Sequence, residues 1–414
     1  MSDILPPLRT DLELFPFEHQ GQRMFLVRDP LGLVPEGRAI PSNIARVLAM
    51  LDGTRTMADL QADLTRANNN VLVGQEFLET MLGELDATYL LASERYTTAR
   101  QEIVDRYSAL PARPTALAGT GYPADPGELA GFLDVVLASA GQLEEIPDWQ
   151  GPIKALAAPH IDLNVGGPIY GRAYGALRSA VQQGFAPERV VVLGVGHQLA
   201  EDMYSIGGKA YATPLGEVPA DGEAVARLRE AGKKVAAADD FAHRSEHSIE
   251  FQVLFLQHLL PKDSFSLIPI LCGFIGAGEP GQGPSRASYQ ETAGPFLAEL
   301  RDILADPKTL LVAGIDFSHI GPKFGHREEA GALEQDASAH DQALLEKAGA
   351  MDADGFWAES RRVQDRFNVC GFTALACLLE VLPPCKGRVL GYSLWHEEPT
   401  HSAVGFAAAG WSLE

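Results

Sequence analysis

From residue 153 onward, short apolar runs alternate with longer amphipathic segments, and this alternation constrains the fold more than any other feature of the chain. The runs at 154–158, 189–195, 266–272, 309–315, 388–394 and 403–409 read as strands. Helical patterns fall at 222–231, 247–260, 289–304, 328–347, 353–363 and 371–382. In the second of these, Ile249, Val253, Leu256 and Leu260 recur at i, i+4, i+7 and i+11 and share one face. Alternating strands and helices predict an α/β domain with a largely parallel central sheet flanked by helices. Sites in such sheets gather just past the carboxyl ends of the strands.

The residues at those ends are informative. One strand ends Ala158-Pro159-His160, a second ends Gly194-Val195-Gly196-His197, and a third ends Asp316-Phe317-Ser318-His319. A single histidine after a strand is an ordinary turn residue; three at equivalent positions point to a shared metal or catalytic site. Cys370 precedes the helix at 371–382, and a helix N-terminus favours the thiolate, the form that binds metal. Cys272 and Cys377 read as small buried hydrophobes and Cys385 as a loop residue. In Glu246-His247-Ser248-Ile249-Glu250, a helix start, His247 and Glu250 share a face. The glutamates there have an ordinary explanation in the helix dipole, and His247 is balanced evenly between that setting and a place near the site.

Two motifs are decoys. Gly276-Ala277-Gly278-Glu279-Pro280-Gly281 spells a dinucleotide fingerprint, but Pro280 forbids the helix that would receive the pyrophosphate. His396-Glu397-Glu398-Pro399-Thr400-His401 imitates a zinc-protease helix with one residue too many and a helix-breaking proline. Neither a nucleophile elbow nor a Walker loop occurs.

The first hundred residues differ. A strand-to-turn segment at 23–32 precedes helical patterns at 42–51, 57–66 and 74–85, with Ser42 placed to cap the first. Residues 1–100 therefore read as a small winged-helix-like module and 101–112 as a linker, before an α/β domain at 113–414. With 414 residues, two or three domains are expected. The 33 Lys+Arg against 55 Asp+Glu leave a net charge of −22, which excludes nucleic acid and anionic membrane as main partners. No apolar run of about 18 residues is present, and the first residues lack a signal-peptide pattern. Four unevenly spaced cysteines fit a reducing cytoplasm rather than a disulfide framework.

The segment from about residue 113 onward resembles the Memo family, called AmmeMemoRadiSam system protein B in prokaryotes, whose fold is similar to that of class III extradiol non-haem iron dioxygenases. The resemblance rests on an ordered set: Gly119-Thr120-Gly121-Tyr122-Pro123, Pro159-His160, Gly194-Val195-Gly196-His197, Tyr211-Ala212-Thr213-Pro214, Glu246-His247-Ser248-Ile249-Glu250, Asp316-Phe317-Ser318-His319, Cys370-Gly371 and Val404-Gly405-Phe406. It implies His160, His197 and Cys370 as ligands of one divalent transition metal, Fe(II) first, with Cu and Zn as alternatives. It places Asp316 and His319 beside them as proton-moving groups. The implied function is a dioxygenase-like, metal-dependent redox enzyme acting on a small-molecule or peptide substrate. A Zn-dependent hydrolase and a non-catalytic peptide-binding protein with a structural or vestigial metal site stay open. Ile161-Asp162-Leu163 stands where the family usually has Ala-Gly-Tyr, which removes an aromatic from the expected pocket wall and adds a carboxylate. Residues 1–100 lie outside that resemblance. They resemble the PqqD-like peptide-recognition domains in the rhythm of Val27–Gly32 and Leu51–Leu60, which implies a possible peptide partner for this module.

Overall fold

The computed structural model describes residues 4–143, 149, 151–199, 202–275 and 285–413. The fingerprint-like glycines from Gly276 to Gly281 lie outside the described residues. The chain divides into two compact units, Met1–Ala109 and Leu110–Glu414.

The first unit contains β1 (Glu13–His19), β2 (Gln22–Arg28), β3 (Ala39–Pro41), α1 (Ser42–Leu48), α2 (Met57–Ala67), α3 (Gln75–Ala87) and α4 (Glu94–Ser108). The strands form an antiparallel sheet in the order β1-β2-β3. Val27, Ile40, Leu48, Leu60, Leu78 and Leu90 make its core. Arg9 is buried within the unit, where its guanidinium donates to Asp29, Asp11 and the Tyr89 carbonyl. Two local expectations change. Pro41, not Ser42, occupies the N-cap position of α1, and the Ser42 hydroxyl donates instead to the Arg23 carbonyl at 2.6 Å. Residues 101–108, read as linker, continue α4, because Ile103 and Tyr107 repeat at helical spacing and are buried.

The second unit opens with β4 (Ala112–Arg113), α5 (Pro126–Ala138), β5 (Ala155–Ala158), α6 (Leu163–Gln182), β6 (Arg189–Val195), β7 (Tyr204–Ile206), β8 (Ala210–Thr213) and β9 (Gly216–Val218). It continues with α7 (Gly222–Gly232), α8 (Ser248–Leu259), β10 (Ser266–Cys272), α9 (Arg286–Leu304), β11 (Thr309–Gly314) and β12 (His319–Ile320). It closes with α10 (Ala330–Gly349), α11 (Ala353–Val363), α12 (Phe372–Val381), β13 (Cys385–Glu397) and β14 (Ser402–Leu413). Among the described residues the large sheet runs β12-β14-β5-β11-β6-β10-β7, with β13 on β14.

This is a mixed sheet rather than a largely parallel one. β5, β11, β6 and β10 are parallel neighbours at its centre. β14 runs antiparallel to β5, β12 and β13, and β7 antiparallel to β10. For β13 and β14 the reason is the short connection at Glu398–Thr400: it joins a hairpin, whereas a parallel pair needs a crossover of a dozen or more residues. Strand residues alternate between two cores. Val191, Leu193, Ile268 and Leu311 face one, and Val190, Val192, Leu267 and Leu310 face the other. Helices thus cover both faces of the parallel centre.

α6 has no counterpart in the sequence reading. Gly166, Gly167, Pro168, Gly171 and Gly175 depress its helix propensity. Packing supplies the compensation: a Cβ on Gly171 would lie 2.8 Å from the Val136 carbonyl, so only glycine lets α6 approach α5 this closely.

α10 and α11 are joined by Glu359. It accepts from His340 Nδ1 at 2.9 Å and from Arg362 Nε at 2.9 Å and Nη2 at 2.7 Å. The Arg362 hydrogen bonds, then His340, draw its carboxyl down to about 2 from an ordinary 4.5. A carboxyl whose folded pKa is depressed contributes stability above its unfolded pKa and loses it as pH falls toward the folded value. Glu359→Gln should therefore cost on the order of 1 kcal/mol at neutral pH, discounted because Arg362 is solvent-exposed. It should also flatten the stability loss between pH 4.5 and 2. Urea midpoints of both proteins across that range check this; parallel curves would refute it.

Candidate functional site

The parallel strands β5, β6 and β11 end at one edge of the sheet, and each leaves backbone groups without ladder partners. Past β5, the His160 amide donates to Asp316 Oδ1 at 3.0 Å, and the His160 ring donates from Nδ1 to the Gly314 carbonyl at 3.1 Å. Past β6, the His197 amide and its Nδ1 both donate to Glu246 Oε2, at 3.2 and 2.9 Å. Past β11, the Ser318 amide and hydroxyl donate to buried Asp341, and His319 Nδ1 donates to the Phe317 carbonyl at 2.8 Å. In His160, His197 and His319 the Nδ1 proton is thus committed, which leaves Nε2 as the lone-pair nitrogen of each neutral ring.

His160, His197, Cys370 and Asp316 converge. The His160 and His197 rings lie 5.1 Å apart between centroids, and Cys370 Sγ is 3.8 Å from His160 Nε2. Asp316 Oδ2 is 3.6 Å from the same nitrogen. His247, evenly balanced on sequence, joins them with its ring 5.5 Å from both His160 and His197. His319 packs edge-on against Phe324 at 4.9 Å. Glu250 is not part of this cluster. It is buried and accepts from Arg113, the Ala116 and Leu117 amides and the Tyr122 hydroxyl.

Burial sets the proton affinities. It holds His160 well below the ordinary range, helped by the charges of His197 and His247. It takes His319 down to about 4, with the Phe317 carbonyl opposing and His197 assisting. It raises Asp316 to about 7, against hydrogen bonds from the His160 and Ile161 amides. Burial would also raise Glu246, but the neighbouring His197 and His247 pull it well below its usual value. Cys370 departs from the sequence expectation. Burial and then the Asp316 charge push its thiol well up, with the Asp316 backbone contact opposing, and the helix itself begins two residues on, at Phe372. The thiol donates to the Asp316 carbonyl at 3.4 Å.

Gly371 permits that position. Its amide donates to the Asp316 carbonyl at 3.0 Å, and a Cβ there would stand 2.6 Å from the same oxygen. Cys272 and Cys377 are buried as expected; Cys385 is buried at the start of β13 rather than in a loop. Asp162, read as a pocket-wall carboxylate, is exposed and caps α6 through the Asn164 amide at 2.8 Å. Sequence reasoning did not assign Glu246 or Ser248. The signal was present, since a carboxylate and a hydroxyl beside a helix start are groups that satisfy open amides.

Native alkylation tests the corrected thiol. Cys370 is the most accessible of the four cysteines and should label first. Its labelling should be slow near neutrality and quicken as pH rises, because the raised pKa keeps the thiol protonated. Fast labelling independent of pH above 7, read by peptide mapping, would restore the thiolate expectation.

Residues 113–410 match the family model described as Memo-like protein. A MEMO1 family protein of Aquifex aeolicus is 28% identical over 97% of this chain and 99% of its own length, so its similarity extends into the N-terminal unit. One of Thermus thermophilus is 28% identical over 85% of this chain and 97% of its own. One of Thermococcus kodakarensis is 30% identical over 71% of this chain and 97% of its own. With the family model spanning Arg113 to Gly410, the chain belongs to the Memo family.

Proposed function

We propose that the second unit is a metal-dependent redox enzyme, dioxygenase-like in its chemistry, with one transition metal held by His160, His197 and Cys370. The observation that carries this reading is the approach of Cys370 Sγ to His160 Nε2, 3.8 Å, beside a second imidazole whose Nδ1 is likewise occupied. The donors fit such an ion. The depressed proton affinity of His160 keeps its ring neutral, and two imidazoles with a sulfur suit Fe(II), Cu or Zn while disfavouring Mg and Ca. The resemblance to extradiol dioxygenases favours Fe(II). When bound, the ion would supply Lewis acidity and a one-electron couple.

The chain's own residues do the rest. Asp316 and His319 are assigned the movement of protons at the substrate. His319 offers Nε2 for this, since its Nδ1 is tied to the Phe317 carbonyl. Asp316 has one oxygen committed to the His160 amide and the other facing the His160 ring. The substrate would be a small molecule or peptide segment that reaches the exposed side of the site, where the His197 side chain is 40% accessible.

Metal-to-protein ratios after anaerobic purification test the assignment. His160→Ala, His197→Ala and Cys370→Ser should each lower affinity by more than about 100-fold, the upper range for losing a merely supporting contact. Cys377→Ser should bind as the parent does, and His319→Ala should keep the metal and lose turnover. Equal binding by Cys370→Ser and Cys377→Ser would remove Cys370 from the ligand set. Iron in the parent favours the redox reading, zinc a hydrolase, and a metal-free protein with a tight peptide ligand a binding role.

For the first unit we propose a winged-helix-like fold that accepts an extended peptide. The supporting observation is the outer edge of β1, which pairs with no strand among the described residues. Removing residues 1–109 should leave metal content intact and abolish peptide binding. If the truncated chain loses its metal, the unit is structural instead. Among the described residues no helix is long and apolar enough to cross a membrane.

A further inference from the structure

The far end of α8 borders a groove that none of the strand-end residues lines. α8 has 12 residues, which puts its C-terminal end about 18 Å from Ser248. There the β8–β9 hairpin, the end of α8 and the turn before β10 enclose a cavity of about 480 Å³, within the usual range for small-molecule pockets. Val218 and Phe265, both buried, give it an apolar surface that Leu215, Pro219 and Pro261 extend. Its walls are anchored. Gln257 accepts the Thr213 hydroxyl through Oε1 and donates from Nε2 to the Gly216 carbonyl at 3.1 Å, which fastens the hairpin to α8. His258 donates from Nε2 to Asp134 Oδ1 at 2.8 Å and so ties the same end of α8 to α5.

The groove is also charged. Glu217, Lys262 and Asp263 line it, are exposed, and form no ion pair among the described residues. Two carboxylates against one ammonium leave it net negative. The end of α8 adds to this, because a helix C-terminus carries partial negative charge and Pro261 has no N–H to donate to the Gln257 carbonyl. A cation is therefore favoured over an anion. A bare metal ion would gain nothing from Val218 and Phe265, and a neutral hydrocarbon nothing from the carboxylates; an organic cation with an apolar body uses both surfaces.

We propose that this groove binds a small organic amine in its ammonium form, with the charge held by Glu217 and Asp263 and the alkyl or aryl body against Val218 and Phe265. Lys262 opposes the bound charge and limits the affinity. The site is separate from the strand-end cluster, and the inference does not depend on the metal reading.

Amide NMR shifts of the full-length protein, titrated with phenethylammonium and separately with hydrocinnamate, an anion of similar shape, test this. The ammonium should give saturable shifts at Val218 and Phe265, and the anion none. Glu217→Gln and Asp263→Asn should each weaken ammonium binding by about 2–5-fold, as expected for an exposed ion pair. Asn tolerates the left-handed backbone of Asp263, φ 57°, so that variant keeps its turn. Lys262→Met should strengthen binding by a similar factor. Equal binding of ammonium and anion would overturn the proposal without any variant, as would the absence of saturable shifts in the groove. So would an unchanged affinity in both carboxylate variants. Tighter binding of Nα-acetyl-lysine amide than of phenethylammonium would assign the groove to a lysine side chain of a protein partner and overturn the free amine.

Discussion

Parallel strands that end together leave buried backbone amides with no ladder partner, and satisfying those amides organises this site. A buried amide left unpaired costs about 1–3 kcal/mol, so each must find an acceptor. Here the acceptors are carboxylates. Asp316 takes the buried His160 amide and Asp341 that of Ser318, while Glu246 takes the part-buried amide of His197 past β6 together with those of His247 and Ser248 at the start of α8. Ser248 completes the row, its hydroxyl accepting from the Val195 amide and donating to the Val195 carbonyl. At His197 the group that finishes the strand end also aims the ring, because Glu246 takes both its amide and its Nδ1, whereas the His160 and His319 rings are held by the Gly314 and Phe317 carbonyls.

The strand ends were legible in the sequence because their signal is local. An apolar run followed by Pro159-His160 or Gly196-His197 declares both the strand and the turned residue after it. Cys370 was legible only as a thiol before a helix; its neighbours Asp316 and His160 come from distant segments, and they and burial decide its protonation. The antiparallel partnership of β13 and β14 was missed for a related reason. Each strand is apolar enough to pass for a central parallel one, and only the brevity of the turn between them gives the direction.

α6 shows the opposite failure. Its glycines and Pro168 argue against a helix when each residue is weighed by intrinsic preference. Tertiary contact tips the balance the other way, because the glycine at 171 allows an approach to α5 that any Cβ would block. Apolar residues spread along its length, from Leu163 through Tyr170, Tyr174 and Leu177, are buried and offset the weak propensity. Asp162, which looked like an addition to the pocket, caps this same helix. A departure from the family pattern is thus explained by the local needs of the chain before any change of substrate is invoked.

The start of α8 separates two glutamates that the sequence presents as a pair. Glu246 and Glu250 lie four residues apart and both are buried, so complementing the helix dipole in solvent accounts for neither. Glu246 faces the strand-end histidines. Glu250 reaches the other way and fastens the segment from Arg113 to Tyr122, whose two free amides, guanidinium and phenol all converge on it. Arg113 in turn donates to the carbonyls of His243 and Glu246, which returns the restraint to the turn that carries Glu246. A buried guanidinium that loses its carboxylate typically costs several kcal/mol, so the lead-in segment and the turn are held as one unit. The position of Glu246, and through it the aim of His197, is therefore fixed from two sides: by the amides it accepts and by an arginine more than a hundred residues earlier in the chain.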